Sequence, residues 1–288
     1  MKRTALLVLL ALSVVACKNS KEEKAVETTT TEVATSNERI VSLNGAITET
    51  LVDLGQRNNI VGIDVTSTYP ADMNTTATQL EHVNKINIEA LMALKPTLVY
   101  IAKKDLNDNL KKQLEDANIK LVIIDQDFSI EGTKTLIKDI AASLNVKDYE
   151  GLLAKIDQDQ AQLKTFETKP KVLFIYARGA GNLFVAGDKT PMQNIIELAG
   201  GQNAVTGFDD FKPLTPEALL NSNPDYILMF DTGLQSMGGV DGVLKIESLN
   251  RTNAGKNKKI IAMDGLLLTG FTPRVGTAVT QLNQLLSE

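Results

Sequence analysis

The feature that most constrains this chain is a segment that occurs twice. "NIEALMALKPTLVYI" (87–101) can be laid on "TPEALLNSNPDYILM" (215–229). Each copy opens on a capping residue, Asn87 or Thr215, and carries a glutamate two positions on, Glu89 or Glu217. Each continues Ala-Leu, reaches Pro96 or Pro224, and enters an apolar run. The cap side chain satisfies N–H groups that a helix start leaves open, and a first-turn carboxylate gains about 0.3–1 kcal/mol from the helix dipole. Proline then closes the helix, because it cannot continue the ladder. "RIVSL" (39–43) matches "KVLFI" (171–175) at nearly the same offset. Helix–proline–strand units are common singly; two at matched offsets predict a duplicated lobe.

Around these copies, apolar runs alternate with helical patterns. "RIVSL", "NIVGID", "LVYIA" and "IKLVIID" read as strands, and "AITETLVDLG", "LNDNLKKQLEDAN" and "IEGTKTLIKDIAASLN" as helices. That alternation predicts an α/β fold with mostly parallel sheets and helices on their faces. "VKDYEGLLAKIDQDQAQLKTFET" breaks the pattern. Leu152, Leu153, Ile156, Leu163 and Phe166 fall at helical spacing, and no Gly or Pro follows Gly151. One helix over 146–168, about 20 residues and roughly 30 Å long, is expected to join an N-terminal lobe (38–145) to a C-terminal lobe (169–288). Two Rossmann-like lobes facing each other form a cleft at the carboxyl ends of their strands, where open α/β sheets bind ligands.

The first residues are of another kind. "MKRTALLVLLALSVVAC" sets Lys2 and Arg3 before an apolar run too short for a bilayer span, which needs about 20 residues. This is the pattern of a signal peptide. Small residues lead into Cys17, the chain's single cysteine, which rules out an internal disulfide. Residues 18–37 are Thr- and Glu-rich without aromatics and are expected to form a disordered tether reaching roughly 25 Å. A net charge of −5 with no basic cluster gives no sign of nucleic acid.

Across Arg39 to about Ala278 the chain resembles the substrate-binding proteins of ABC importers, in the class whose lobes are joined by a single helix and which carries cobalamin, ferric siderophores and haem. "LAGGQNAVTGFDDFKPLTPEALL", "GLQSMGGVDGVLK" and "AMDGLLLTGFTPR" bring it nearest to the periplasmic haem-binding proteins. The "VVAC" stretch similarly resembles a lipobox, which implies lipidation at Cys17 and an exported, membrane-anchored protein. The resemblance implies a non-enzymatic carrier, expected to be a monomer, that takes haem in the cleft and hands it to an inner-membrane permease and its ATPase.

Haem-binding relatives often place an axial tyrosine a few residues before the "NIEAL" helix. Here that place holds His82, the one histidine of the chain, and imidazole is an equally familiar haem ligand. On the other lobe the resemblance puts Arg178 where some relatives have a second histidine. Arg178 and Arg274 are then the propionate cations. Tyr176 and Tyr69 are possible second ligands or cleft contacts, and Met237 a possible contact of the macrocycle. Glu89 and Glu217 would dock the permease, one per lobe.

Other readings are weaker. A ferric-siderophore or cobalamin carrier on the same fold would not need His82, and a low aromatic content of 5% speaks mildly against any large stacked ligand. Gly179 and Gly181 begin a dinucleotide fingerprint, but Phe184 stands where its third glycine belongs. A single histidine, no G-x-S-x-G elbow and a single cysteine give neither a nucleophilic triad nor a zinc site. A lipid-anchored adhesion module is the remaining rival, opposed only by fold analogy.

Overall fold

The computed structural model describes residues 38–288. The tether and Cys17 lie outside them. The first half runs β1 (Ile40–Ser42), α1 (Gly45–Asp53), β2 (Ile60–Ile63), β3 (Thr78–Gln79), α2 (Ile88–Ala93), β4 (Leu98–Ala102), α3 (Asp108–Asp116), β5 (Lys120–Ile124) and α4 (Ile130–Ser143). Its sheet is wholly parallel in the order β3-β2-β1-β4-β5. β1 and β4 are buried on both faces, as continuous apolar runs between two helical layers require.

After α5 (Glu150–Gln160) come β6 (Lys171–Ala177), β7 (Leu183–Ala186), α6 (Pro191–Leu198), β8 (Gln202–Asn203), β9 (Phe211–Pro213), α7 (Pro216–Ser222), β10 (Tyr226–Phe230), α8 (Asp231–Ser236) and α9 (Val240–Val243). The chain closes with α10 (Asn253–Asn257), β11 (Ile260–Met263), α11 (Gly265–Thr269) and α12 (Val275–Leu285). The second sheet is mixed, in the order β11-β10-β6-β7-β9, with β8 parallel to the start of β6. Its parallel part, β8-β6-β10-β11, repeats β2-β1-β4-β5, and α7–β10 repeats α2–β4. The expected duplication therefore holds in the parallel core. The antiparallel pair β7–β9 belongs to the second half alone.

The connection differs from expectation. α5 spans 11 residues, roughly 16 Å, instead of about 20. Its amphipathic pattern continues past Gln160, but tertiary contacts take over the backbone. Asn283 on α12 accepts from Lys164 N–H at 2.8 Å and donates to the Lys164 carbonyl at 2.8 Å, so neither group is left for a helical ladder. Thr280 donates to the Asp159 carbonyl at 2.8 Å. Leu163 and Phe166 still reach the second-half core, from an irregular strap.

The two halves share apolar packing. Ile130 and Ile137 of α4 join the cluster built from Phe174, Leu268, Phe271 and α12. Phe128 meets Phe271 edge-on at 5.6 Å, and Thr133 Oγ1 donates to the Phe271 carbonyl at 2.9 Å.

Candidate functional site: the cleft between the sheets

Each turn at the carboxyl end of the first sheet places a side chain in one cavity. β1 leads through Leu43 to Asn44, whose Oδ1 caps α1 by accepting from Ala46 and Ile47 N–H at 2.9 and 3.3 Å. β2 leads to Asp64, held by Thr66 and Ser67 hydroxyls at 2.7–2.9 Å. Burial pushes the Asp64 carboxyl above its usual range, and those hydroxyls hold it back. His82 follows β3 and is exposed, at the start of a short 3-10 turn. Its Nδ1 accepts from Asn84 N–H at a long 3.3 Å.

From the other side Pro191, Leu266, Thr269 and Gly270 close the same cavity. His82 therefore stands in a cleft walled by both halves. The volume is about 220 Å³, below the roughly 300–1,000 Å³ of small-molecule pockets. A ligand the size of a macrocycle must extend beyond this cavity or part its walls. Lys104 also lines it, with its Nζ 5.0 Å from the Phe128 ring centre, and among the described residues it forms no ion pair. The sequence reading missed this cation. Its signal was only its place after β4, a carboxyl end.

A second cavity, of about 340 Å³, is lined by Tyr176, Phe184, Phe211 and Phe230. Register explains the grouping. Tyr176 pairs with Phe184 across β6–β7, and Phe211 faces Ala186 across β7–β9, so these rings emerge on one face. Tyr176 and Phe230 stand 5.9 Å apart and Tyr176 and Phe211 6.4 Å, edge to face. Phe230 lies against Gly265 at the start of α11, whose next residue, Leu266, walls the His82 cavity. Phe184, Phe211 and Phe230 were also missed, because strand pairing between residues far apart in sequence assembles them. Arg178 donates through Nε to Tyr176 Oη at 2.6 Å, and its guanidinium lies 5.3 Å from that ring's centre.

Two expected cleft residues are used otherwise. Arg274 makes a bidentate pair with Glu49 of α1, Nε to Oε1 at 2.8 Å and Nη2 to Oε2 at 2.7 Å. Glu49 is fully buried, so this cation is committed to neutralising it and is not offered to a propionate. Tyr69 goes with it. Its ring lies under the Arg274 guanidinium at 3.6 Å, and it does not line the His82 cavity. Met237 also departs from expectation. It is buried in the second-half core with Leu219 and Val243, because the α8–α9 turn folds it inward.

Glu89 and Glu217 sit exposed in the first turns of α2 and α7. Asn87 and Thr215 cap these helices through their own side chains, so neither carboxylate is needed as a cap. Among the described residues neither forms an ion pair. No cluster of His, Cys, Asp and Glu suited to hold a metal ion by itself occurs among the described residues.

This fold, with its cleft at the carboxyl ends of two sheets, defines the class. Residues 40–266 match the periplasmic binding protein family model, and the chain belongs to that family, whose members bind transport substrates and are not enzymes. Among solved structures, the periplasmic heme-binding protein RhuT from Roseiflexus sp. RS-1, in apo form, is 36% identical with a TM-score of 0.81, covering 87% of this chain and 98% of that one. The periplasmic heme-binding protein BhuT in complex with two hemes is 32% identical with a TM-score of 0.81, over 87% and 98%. An uncharacterised ABC transporter substrate-binding lipoprotein, YvrC of Bacillus subtilis, is 26% identical over 254 residues, 85% of this chain and 78% of YvrC. A cobalamin-binding protein of Halobacterium salinarum is 25% identical over 228 residues, 74% of this chain and 59% of that protein. The chain is thus a substrate-binding protein of the ABC-importer kind.

Proposed function

We propose that this protein captures haem in its interlobe cleft, with His82 as an iron ligand, and delivers it to an ABC permease. The observation that carries this is the placement of the sole histidine in a cavity walled by both halves. A histidine that ligates through Nε2 carries its proton on Nδ1. Binding therefore costs His82 its weak contact with Asn84 N–H, and no strong interaction opposes it.

On the other half, Tyr176 is the second candidate ligand. Arg178 already donates to its oxygen, where a metal-bound phenolate would carry charge. The remaining guanidinium edge of Arg178 keeps the propionate role expected of it, and Lys104, across the cleft, takes over the one expected of Arg274. Exposed Glu89 and Glu217, one per repeated unit, present the loaded carrier to the permease. Anchoring through a lipid at Cys17 completes the proposal.

The similarity to a cobalamin-binding protein supports a second reading, a corrinoid carrier on the same frame, in which the metal arrives saturated and His82 is dispensable. Haem titration of the protein from residue 36 onward, with and without His82→Ala, separates the two. A saturable Soret shift that the substitution moves and weakens by tenfold or more supports ligation by His82. Saturable binding untouched by the substitution moves the ligand to Tyr176. Absence of specific haem binding with retention of cobalamin overturns the haem reading.

A further inference from the structure

The second half carries a charged face at the end away from the cleft, which ligand capture does not use. β6, β8, β10 and β11 run parallel, so their first residues meet at the amino end of the sheet. Lys171 opens β6, with Lys169 two residues before it. Lys258 and Lys259 lead into β11, and Lys256 sits in the last turn of α10. The Lys259 carbonyl accepts from Ile227 N–H at 2.9 Å, which sets it beside β10. Neighbouring strands stand about 4.8 Å apart, so β6 and β11, with β10 between them, hold these lysines roughly 10 Å apart across the sheet. Lys164 joins from the strap. Its Nζ donates to Ser287 Oγ at 2.8 Å, next to Leu286, whose carbonyl accepts from Tyr226 Oη at 3.1 Å. All but Lys259 are exposed, and among the described residues none of the six forms an ion pair. The carboxylates at this end are Glu167, Glu197, Asp225 and Glu288. Cations are therefore in excess at one end of a chain whose net charge is −5. The helix dipole accounts for Lys256 and Lys258 alone, since the others sit on the strap and at strand starts.

We infer that this face docks on an anionic phospholipid surface. A spacing of roughly 10 Å is about the Debye length at 0.1 M salt, so these lysines act on a charged surface together. A second observation favours lipid over nucleic acid. Between Lys164 and Lys169 the strap opens a groove of about 300 Å³ lined by Leu163, Phe166 and Leu198. Apolar surface flanked by ammonium groups matches a phospholipid, whose phosphate sits above its acyl chains. No arginine lines that groove. Glu38 precedes β1, so the segment running back to Cys17 also leaves from the amino end of its sheet. Glu217 lies at the opposite end of the second half, because α7 runs back from the carboxyl end before β10 begins. A carrier resting on this face turns its cleft and Glu217 away from the membrane beneath it. The inference goes beyond the haem-carrier reading and depends neither on haem nor on a lipid at Cys17.

The test is co-sedimentation of the protein from residue 36 onward, which keeps every core cluster described above and lacks Cys17, with vesicles of phosphatidylethanolamine and phosphatidylglycerol. Vesicles of phosphatidylcholine serve as the neutral control. Wild-type protein is expected to bind the anionic vesicles and not the neutral ones, and to be released as salt is raised from about 50 mM to about 300 mM. Lys169→Gln with Lys258→Gln should weaken binding by about fivefold or more, since each lysine near an anionic surface contributes about that factor. Lys112→Gln with Lys138→Gln removes the same charge from exposed positions on α3 and α4 and should change binding by less than about twofold. All four lysines are exposed, so both double variants are expected to fold; a thermal melt checks this. A haem titration of the Lys169, Lys258 variant should match wild type, which separates this face from the cleft. Absence of wild-type binding to anionic vesicles overturns the inference. Equal losses in the two double variants overturn it as well, because net charge would then explain the binding. Tighter binding to a short DNA duplex than to the vesicles would assign the face to nucleic acid instead.

Discussion

Glu49 and Asp53 occupy successive turns of α1, and Arg274 serves both. The bidentate fork neutralises buried Glu49. Asp53 receives only the remainder of that charge: burial and the neighbouring Glu49 carboxylate push its pKa up to about 6, against a smaller lowering by Arg274. A carboxyl raised in the folded state binds its proton more tightly there than in the unfolded chain. Its destabilising effect is therefore fully present above pH 6 and is relieved as pH falls toward 4. Asp53 keeps an open side to solvent, which limits the effect to about 1 kcal/mol. Urea midpoints at pH 7.5 and pH 5 should show wild type gaining on Asp53→Asn as the pH is lowered; a constant difference between the two proteins would refute the assignment. Nothing in the sequence marked Glu49, since a glutamate in an amphipathic helix reads as a solvated face. Its burial is set by a partner 225 positions away.

At the scale of elements, local chemistry was legible where the signal is local. Asn87 and Thr215 cap the helices they were expected to cap, and Pro96 and Pro224 lie beyond the ends of α2 and α7. The strand assignments held for the same reason, continuous apolar runs bounded by turns. α5 failed as a 20-residue helix because Asn283 claims the Lys164 backbone, and no local pattern announces a competitor from α12. Gly45 at the start of α1 shows how closely the halves meet. A methyl there would lie 2.4 Å from the Thr66 carbonyl oxygen and 2.7 Å from Leu266 Cδ1, across the seam. Gly45→Ala should lower stability by about 1–3 kcal/mol, read from the urea midpoint, because the Thr66 backbone cannot yield as a side chain would. An unchanged midpoint would mean that the seam opens freely.

For the molecule as a whole, the shared core of Ile130, Ile137, Phe128 and Phe271 and the Glu49–Arg274 pair tie the halves together. Such a carrier presents its two exposed glutamates as a fixed pair. Glu89→Ala with Glu217→Ala should leave haem affinity within about twofold and reduce carrier-stimulated ATPase activity of the reconstituted permease by tenfold or more. Stimulation at the wild-type level would remove both residues from docking. The sequence by itself determined the α/β class, the repeated unit, the caps and the place of the lone histidine. Each depends on residues close along the chain, through periodicity, proline breaks and capping. Only the tertiary structure decided that Arg274 is spent on Glu49, that Met237 faces the core, that α5 stops at Gln160 and that four scattered aromatics share one face. Those outcomes depend on which distant backbones pair and which buried charge must be neutralised. Such competitions are settled by packing and desolvation, which leave no local pattern to read.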